Sequence, residues 1–259
     1  QPFLQPRISG KYNLSQYWNV KFGSGVYRQY ISKSLLTDNF GQRTFFWQTN
    51  NSVTAPSTNG IHNALSISYG SNALELTIDG FFKTTSNINR YFMIDSLSGL
   101  FHSVGESKSY GIDLLLKRKF RTHELLLAYS LGKVEERFEQ NSNQDFTHAP
   151  QDQRHEIKLN LLFRFNKLKL SLNQVYGSGF NNGAEGLYFK GRESYSRFDL
   201  GMEYDLVSRK VDIDLGVSVL NLFNAQNVRL NQFSSFPDGS ITYVSGVPFT
   251  PSLNLLVRF

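Results

Sequence analysis

Apolar and polar residues alternate along most of the chain, and the alternation is sharpest at the C-terminal end. From Phe249 onward, one set of alternate positions is apolar and ends in Phe259, while the other set is mostly polar. A period of two places successive side chains on opposite faces of a β-strand. The segment has roughly the 9–11 residues that a transmembrane β-strand needs, but a soluble β-protein can end in the same way.

The same pattern predicts ten further strands. We place them at 6–15, 17–29, 61–69, 73–85, 107–119, 124–138, 154–165, 168–177, 194–206 and 210–223. Short turns alternate strictly with long connections at 30–59, 86–106, 139–151, 178–192 and 224–247. Outer-membrane barrels separate short periplasmic turns from long external loops in this regular way.

Two fold classes fit this alternation, and we favour the membrane barrel. A soluble β-sandwich also turns apolar residues inward and polar residues outward. Aromatic residues, however, lie near both ends of the predicted strands, like the girdles of a membrane barrel. They are Tyr17, Trp18, Tyr69, Phe120, Phe165, Tyr204 and Phe259 at the short-turn end, and Tyr27, Phe82, Tyr129, Tyr176 and Tyr195 at the other. The predicted fold class is all-β, a transmembrane antiparallel β-barrel, to which this chain supplies about eleven strands.

An odd number of strands raises a geometric difficulty. Bacterial single-chain barrels have even numbers of strands. An open sheet would also leave two edges whose backbone groups face hydrocarbon, at roughly several kcal/mol for each group. Either the chain is the C-terminal part of a larger barrel, which we favour, or a strand lies unrecognised in 30–59 or 224–247.

Composition supports a β-rich protein and narrows the possible chemistry. The chain has 22 Phe, 13 Tyr and no Cys, so it has no disulfide framework, cysteine-ligated metal or cysteine nucleophile. Mean hydropathy is −0.34, and the absence of an apolar run of about 18 residues predicts no transmembrane helix. The net charge of +6 comes from scattered Lys and Arg, so nucleic acid is not a predicted partner. Because the chain starts at Gln1 without a signal peptide, we expect a mature or cut chain.

Three groups of titratable side chains are candidates for chemistry. They are His148, Asp152, His155 and Glu156; Glu135, Glu136 and Glu139; and the pair Asp212 and Asp214. The first group matches no tight metal motif, and we expect it to form hydrogen bonds at the barrel rim. We expect the second to be a solvated strand end and the third to line a polar lumen. With no nucleophile elbow or phosphate-binding glycine loop, we predict no enzyme activity, no metal and no cofactor.

Aromatic and amide side chains in the long connections are the candidate substrate contacts, because loops on a rigid scaffold often carry binding residues. The predicted set, for a sugar, peptide or siderophore, is Trp47, Gln48, Asn50, Tyr91, Phe92, Phe180, Asn181 and Asn182. Further candidates are Phe45, Phe46, Asn51, Phe233 and Phe236. Packing between neighbouring loops is the alternative role for the same side chains.

Six short segments, in order along the chain, resemble a known family. They are 110–117, 128–133, 152–155, 176–179, 197–201 and 219–224, and the terminal segment 251–259 follows them. Each is weak alone. Together they resemble the C-terminal half of the barrel of TonB-dependent outer-membrane receptors, particularly the type common in Bacteroidetes.

The resemblance implies a barrel of about 22 strands, with residues 1–259 as its C-terminal part and the plug domain and N-terminal strands elsewhere. It implies a transporter that binds a substrate at the cell surface and imports it into the periplasm with energy transmitted by TonB. The implied partners are the other barrel half and the plug, in the same or a separate chain, TonB through the plug, outer-membrane lipid and a surface lipoprotein. Phe259 would be the signal for barrel assembly. A passive or structural barrel component of a larger envelope complex, or a soluble β-sandwich binding module, remains the alternative.

Overall fold

The computed structural model describes residues 3–37, 43–50, 55–95, 99–138, 145–149, 151–179, 194–207, 211–234 and 241–258. All regular elements in these ranges are β-strands, and no helix there is long and apolar enough to cross a membrane. The strands are β1 (Arg7–Asn13), β2 (Trp18–Gln29), β3 (Ile31–Thr37), β4 (Arg43–Thr49), β5 (Thr58–Gly70), β6 (Leu74–Asp95), β7 (Gly99–Phe120), β8 (His123–Phe138), β9 (Thr147–His148), β10 (His155–Phe165), β11 (Leu168–Gly177), β12 (Tyr195–Val207), β13 (Asp212–Leu220), β14 (Val228–Ser234), β15 (Ile241–Ser245) and β16 (Thr250–Arg258).

Eleven of these strands form one continuous antiparallel path, as predicted. The order is β1-β2-β5-β6-β7-β8-β10-β11-β12-β13-β16, so strands pair in chain order and small hairpins are the only interruptions in the described part of the path. The outermost strands, β1 and β16, each pair with one described neighbour. Both edges of the path are therefore open within the described residues.

Two stretches that we predicted as loops contain sheet structure. Residues 30–59 include the hairpin β3–β4, and β3 pairs in parallel with the far end of β6. The loop predicted at 86–106 is wrong, because β6 and β7 continue for 22 residues each and stay paired through it. A bulge between Ser86 and Ile88, where Asn87 has a φ of 60°, shifts the alternation by one residue. That shift breaks the period-two pattern and hides the continuation of the strand.

The other long connections also carry short strands where the structure describes them. Within 139–151, β9 pairs with β8. Within 224–247, β14 and β15 form a separate hairpin. Most of 178–192 lies outside the described residues. Unrecognised strands therefore do lie in 30–59 and 224–247, but they form hairpins outside the eleven-strand path and do not add a twelfth strand to it.

Cross-strand register keeps one face of the sheet apolar and the other polar. One row of partners, running from β2 to β10, is Val20, Ile67, Ile78, Leu114, Tyr129 and Ile157. The adjacent row, on the opposite side, is Lys21, Ser66, Asp79, Asp113, Ser130 and Glu156. We call these sides the apolar face and the polar face. Their continuity follows from the period of two, since a slip by one residue would mix them.

Burial in this sheet is the reverse of that in a water-soluble protein. Among the described residues, the buried hydrophobic side chains are Phe138 and Ala149. On the apolar face, Ile112 in the middle of the sheet is 52% exposed and Leu255 on β16 is 65% exposed. A soluble sandwich would bury such a face against a second sheet. The described residues provide no second sheet of that kind, so the sandwich interpretation is not supported.

Aromatic side chains cluster at the short-turn end of the apolar face, as predicted. The rings of Trp18 and Tyr69, for example, have centroids 5.0 Å apart. The girdle predicted at the long-loop end is partly wrong. Register places three of its members on the apolar face, namely Phe82, Tyr129 and Tyr176. Tyr27 and Tyr195 lie on the polar face, because each is one residue out of step with the apolar positions of its strand.

Candidate functional site

The polar face carries a hollow within its C-terminal part. Side chains of β10 to β13 and β16 line a concavity of about 450 Å³ near the short turns. Ion pairs hold this surface together: Lys169 with Glu203 at 2.9 Å, and Arg258 with Asp214 at 2.8 Å. Asp212 is the register partner of Arg258. Asp214, one of the two aspartates predicted to line a lumen, therefore forms an ion pair between β13 and β16.

At the long-loop end, the β3–β4 hairpin widens the sheet beside residues 90–92 of β6, beyond the bulge at Asn87. Tyr91 on β6 donates a hydrogen bond to Gln48 Oε1 at 2.6 Å, and its ring centroid lies 5.1 Å from that of Phe46. Ser34, the register partner of Phe46, is buried. A small side chain at position 34 lets the two rings meet, which fixes the hairpin on β6.

The opposite face of the hairpin points to the same side as the polar face. Leu36 on β3 is the parallel partner of Tyr91, so the even-numbered positions of β3 share the side of Tyr91 and the odd-numbered positions take the other. Lys33 and Trp47 are partners on that second side, and Lys33 Nζ lies 4.5 Å from the centroid of the Phe45 ring. The hairpin thus presents two aromatic rings and a cation on the side of the polar face.

The predicted substrate contacts separate into distinct environments. Trp47 is 71% exposed, whereas Gln48 and Tyr91 bond to each other. Asn50 is fully buried, and its side-chain amide donates to Ser32 Oγ at 2.7 Å. Phe92 lies in β6. Outside the described residues lie Asn51, Phe180, Asn181, Asn182, Phe236 and Phe259. Substrate contact by this set stays a prediction, with Trp47 the most accessible described member.

Glu136 contradicts the prediction of a solvated strand end. It is 4% exposed, and its carboxylate accepts a hydrogen bond from the Arg90 guanidinium at 2.7 Å. The same guanidinium lies 4.3 Å from the centroid of the Phe138 ring. The pair exists because β6 continues past residue 86 and brings Arg90 level with the end of β8. Removing one partner of a buried ion pair typically costs about 3–5 kcal/mol. Glu139 lies outside the described residues.

The four residues considered for a metal site do not converge on one point. Asp152 is fully buried and accepts hydrogen bonds from the Val134 backbone N–H at 2.8 Å and from His148 Nδ1 at 3.0 Å. His155 Nδ1 lies 2.9 Å from the Tyr129 hydroxyl instead. The Asp152 contacts fasten residues 145–153 to β8, which matches the expected role in hydrogen bonding at the rim.

A fully buried asparagine closes the long-loop ends of β12, β13 and β16. The Asn221 side chain donates to the carbonyls of Ala225 at 2.9 Å and Val247 at 2.8 Å, and it accepts from the Ala225 N–H at 3.0 Å. The Asn221 backbone N–H donates to Asp199 Oδ1 at 2.9 Å. Its φ of 51° lies in the left-handed region, which Asn tolerates better than most residues.

Two more asparagines extend this cap at intervals of three residues. Asn224 Oδ1 accepts the backbone N–H of Phe249 at 3.0 Å, and Asn227 bonds both backbone groups of Ser196. Both have positive φ. We did not predict this network from sequence. The available signal was the recurrence of Asn directly after an apolar strand, which is turn chemistry.

Comparison with known proteins gives a match in fold. No protein-family model and no curated protein matches the sequence. The ferric-catecholate import receptor Fiu from E. coli K12 matches with a TM-score of 0.65 at 16% identity, covering 97% of this chain and 34% of that chain. The ferric citrate transporter FecA matches with a TM-score of 0.66 at 14% identity, covering 98% and 38%. The ferric yersiniabactin uptake receptor FyuA from Yersinia pestis matches with a TM-score of 0.66 at 15% identity, covering 98% of this chain and 37% of that chain.

These structural neighbours are TonB-dependent outer-membrane receptors. At such low identities the likeness concerns the fold, and the fold class predicted from sequence is confirmed: an all-β antiparallel sheet that matches part of their barrels. The chain spans little more than a third of the length of each neighbour.

Proposed function

We propose that this chain is the C-terminal part of the β-barrel of a TonB-dependent receptor in the Gram-negative outer membrane. The receptor binds its substrate at the cell surface and imports it into the periplasm with energy transmitted by TonB. A plug domain and the other barrel strands, in the same or another chain, complete it. The Bacteroidetes type is favoured by the order of the segments between 110 and 224.

The exposed apolar face is the observation that carries the proposal. In water, an exposed apolar surface costs about 25 cal/mol per Å², and the described sheet leaves many side chains of its apolar face in that state. Contact with lipid removes this cost. Charged side chains in the middle of the sheet, such as Lys21, Asp79 and Asp113, lie on the polar face, where a plug and water fill the lumen of such a barrel.

The open edges of β1 and β16 support the requirement for further strands. Within the described residues, each edge strand offers one side of its backbone to no partner. Unpaired N–H and C=O groups in hydrocarbon cost several kcal/mol each. Neighbouring strands on both edges are therefore part of the proposal, in keeping with the roughly one-third share of the neighbours that this chain covers.

Membrane fractionation of the intact protein tests the proposal. We expect it in the outer-membrane fraction, soluble only in detergent. We also expect an unheated sample in SDS to migrate differently from a boiled one, because a closed barrel resists SDS until heated. Recovery as a water-soluble monomer, or identical migration of both samples, would contradict the proposal.

A further inference from the structure

Arg118 lies on the side of the sheet that neither a plug nor further barrel strands would cover. It is the register partner of Leu74 on β6 and of Leu125 on β8, so it belongs to the apolar face. Its strand, β7, is inside the eleven-strand path and is paired on both sides. Strands added at β1 or β16 would therefore not reach Arg118, and a plug would fill the opposite side of the sheet.

The Arg118 guanidinium extends toward the short-turn edge of the sheet. Its Cζ lies 4.1 Å from the centroid of the Phe120 ring, and Phe120 is two residues nearer to the turn on the same face. Arginine on a lipid-facing surface is costly in the hydrocarbon and is tolerated near the interface. If lipid covers the apolar face, the apolar stem of Arg118 stays on the protein surface while its charge reaches the level of the headgroups.

Arg118 forms no ion pair with a described residue, whereas cations at the other end of the same face do. On β7 and β8, Arg137 pairs with Glu106 at 2.7 Å, and Lys133 pairs with Glu135 at 2.5 Å. Register places these four residues on the side of the apolar positions. The protein therefore neutralises these two cations at the long-loop end and leaves the arginine at the short-turn end available.

The charge around Arg118 is positive. Arg121 follows in the β7–β8 turn, and it too forms no ion pair with a described residue. The carboxylates nearest in register, Glu75 and Glu124, lie on the polar face, where Glu124 accepts a hydrogen bond from Arg164 at 2.8 Å. Among the described residues, an ammonium or choline group would therefore meet no carboxylate on this part of the apolar face, whereas a phosphate would meet two arginines.

A histidine beside Arg118 supplies a further hydrogen-bond donor. His123 is the register partner of Phe120 and lies diagonally opposite Arg118, a separation that long side chains can span. Its Nδ1 accepts the backbone N–H of Arg164 at 3.1 Å, so the proton of the neutral ring is on Nε2. Its ring centroid lies 5.0 Å from that of Phe165. These contacts fix the imidazole on the same side of the sheet as the guanidinium.

We propose that Arg118, Arg121 and His123 bind the phosphate group of an anionic phospholipid in the membrane leaflet at the short-turn end. The inference rests on the proposed function, because it takes the apolar face to be in contact with lipid. Guanidinium groups bind phosphate through charge-assisted hydrogen bonds, often two in parallel. The contact of Arg118 with the Phe120 ring uses no hydrogen bond, so the N–H groups of the guanidinium stay available. The acyl chains of the lipid lie along the apolar face.

Native mass spectrometry of the intact receptor in detergent tests the site, because it counts the lipids bound to each molecule. The probes are phosphatidylglycerol, which is anionic, phosphatidylcholine, which carries both a phosphate and a cation, and neutral diacylglycerol. We expect phosphatidylglycerol to bind more tightly than the other two, because basic residues at the membrane surface attract anionic lipids. In the variant Arg118→Gln/Arg121→Gln, the affinity for phosphatidylglycerol should fall about tenfold or more.

The variant Lys117→Gln/Lys119→Gln is the matched control, since it removes the same charge from neighbouring positions of β7 that lie on the polar face. It should change the affinity for phosphatidylglycerol by less than about threefold. A heat-modifiable barrel that binds the three lipids equally, or whose affinity for phosphatidylglycerol is the same in both double variants, overturns the lipid site and leaves the receptor proposal standing. Failure of the protein to behave as a barrel would instead refute the receptor proposal.

Discussion

Single buried polar side chains organise the loop-bearing end of this protein, and Asn221 is the clearest example. Its side chain makes three hydrogen bonds to backbone groups of the segments on either side of the β14–β15 hairpin. Asn221→Ala removes all three hydrogen bonds and places alanine at a positive φ, where it is less stable than asparagine. We expect a loss of about 2–4 kcal/mol in unfolding free energy, measured by denaturant titration of the detergent-solubilised protein.

Two companion variants show whether these hydrogen bonds are the cause. Asn221→Gly keeps the backbone conformation accessible and still loses the bonds, so it should remain clearly destabilised. Asn254→Ala removes an exposed amide from the polar face of β16 and should change stability by less than about 0.5 kcal/mol. Equal stability of Asn221→Gly and the wild type would show that strain, rather than hydrogen bonding, matters at this position.

We expect His102 to make the hairpin region sensitive to acid. Its Nε2 lies 2.9 Å from Asn89 Oδ1, its ring packs 4.7 Å from Tyr91, and burial lowers its pKa below the ordinary 6.5. Because the unfolded chain then takes up protons that the folded one resists, stability present at neutral pH decreases as the pH falls below 6.5.

Hydrogen exchange one pH unit above and below 6.5, corrected for intrinsic rates, measures this effect. We expect protection of β3, β4 and the far ends of β6 and β7 to fall at the lower pH. The variant His102→Gln keeps a donor for Asn89 but cannot titrate, so its protection should be almost independent of pH. An equal fall in the variant would assign the acid response to other groups.

At the scale of the element, β16 offers adjacent positions on opposite faces. Leu255 is exposed on the apolar face beside its partner Leu215, and Asn254 lies on the polar face beside Gly216. Arginine on the lipid face near the bilayer centre costs about 2–4 kcal/mol. Leu255→Arg should therefore reduce the amount of heat-modifiable barrel in the outer membrane. Asn254→Arg, one residue away, should leave it near wild type, and equal effects would contradict the assignment of faces.

The last residue gives an independent prediction about assembly. If Phe259 is the aromatic end that the barrel-assembly machinery recognises, then deleting it should lower the amount of assembled barrel without changing the fold of the fraction that assembles. Quantitative immunoblotting of unheated outer-membrane samples measures this. Normal amounts of assembled barrel in the Phe259 deletion variant would show that Phe259 is not needed for assembly.

Strand prediction succeeded where one face of the sheet is continuously apolar and failed where it is not. Strands such as β10, with Ile157, Leu159 and Leu161 in alternation, were visible because one face must be apolar for its whole length. The far ends of β6 and β7 have no continuous apolar face. The bulge at Asn87 also shifts the alternation of side chains on β6 by one residue. Periodicity therefore carried no signal there, although the backbone pairing continues.

The candidate site was predictable only in part. Exposed Trp47 was found from its residue type and loop position. The contacts that hold its hairpin, such as Tyr91 with Gln48, join positions 43 residues apart. The Arg90–Glu136 pair spans 46 residues. Such contacts depend on which strand ends meet, and a single sequence without its fold does not specify that.

At the scale of the whole molecule, the chain is a curved sheet with two incompatible surfaces. Its apolar face is exposed, and its polar face carries charges and a hollow. As described, the strands leave the apolar face uncovered, which is unfavourable in water. Enclosing a lumen on one side and facing lipid on the other satisfies both surfaces, provided that further strands pair with β1 and β16.

Spin-label accessibility along β16 tests this central claim most directly. The chain has no Cys, so single cysteines at 252 to 257 can be labelled without background in the intact protein reconstituted in bilayers. We predict a period of two: labels at 253, 255 and 257 are accessible to lipid-soluble oxygen, and labels at 252, 254 and 256 to a water-soluble nickel chelate. Equal accessibility of both sets to the nickel chelate would contradict the account.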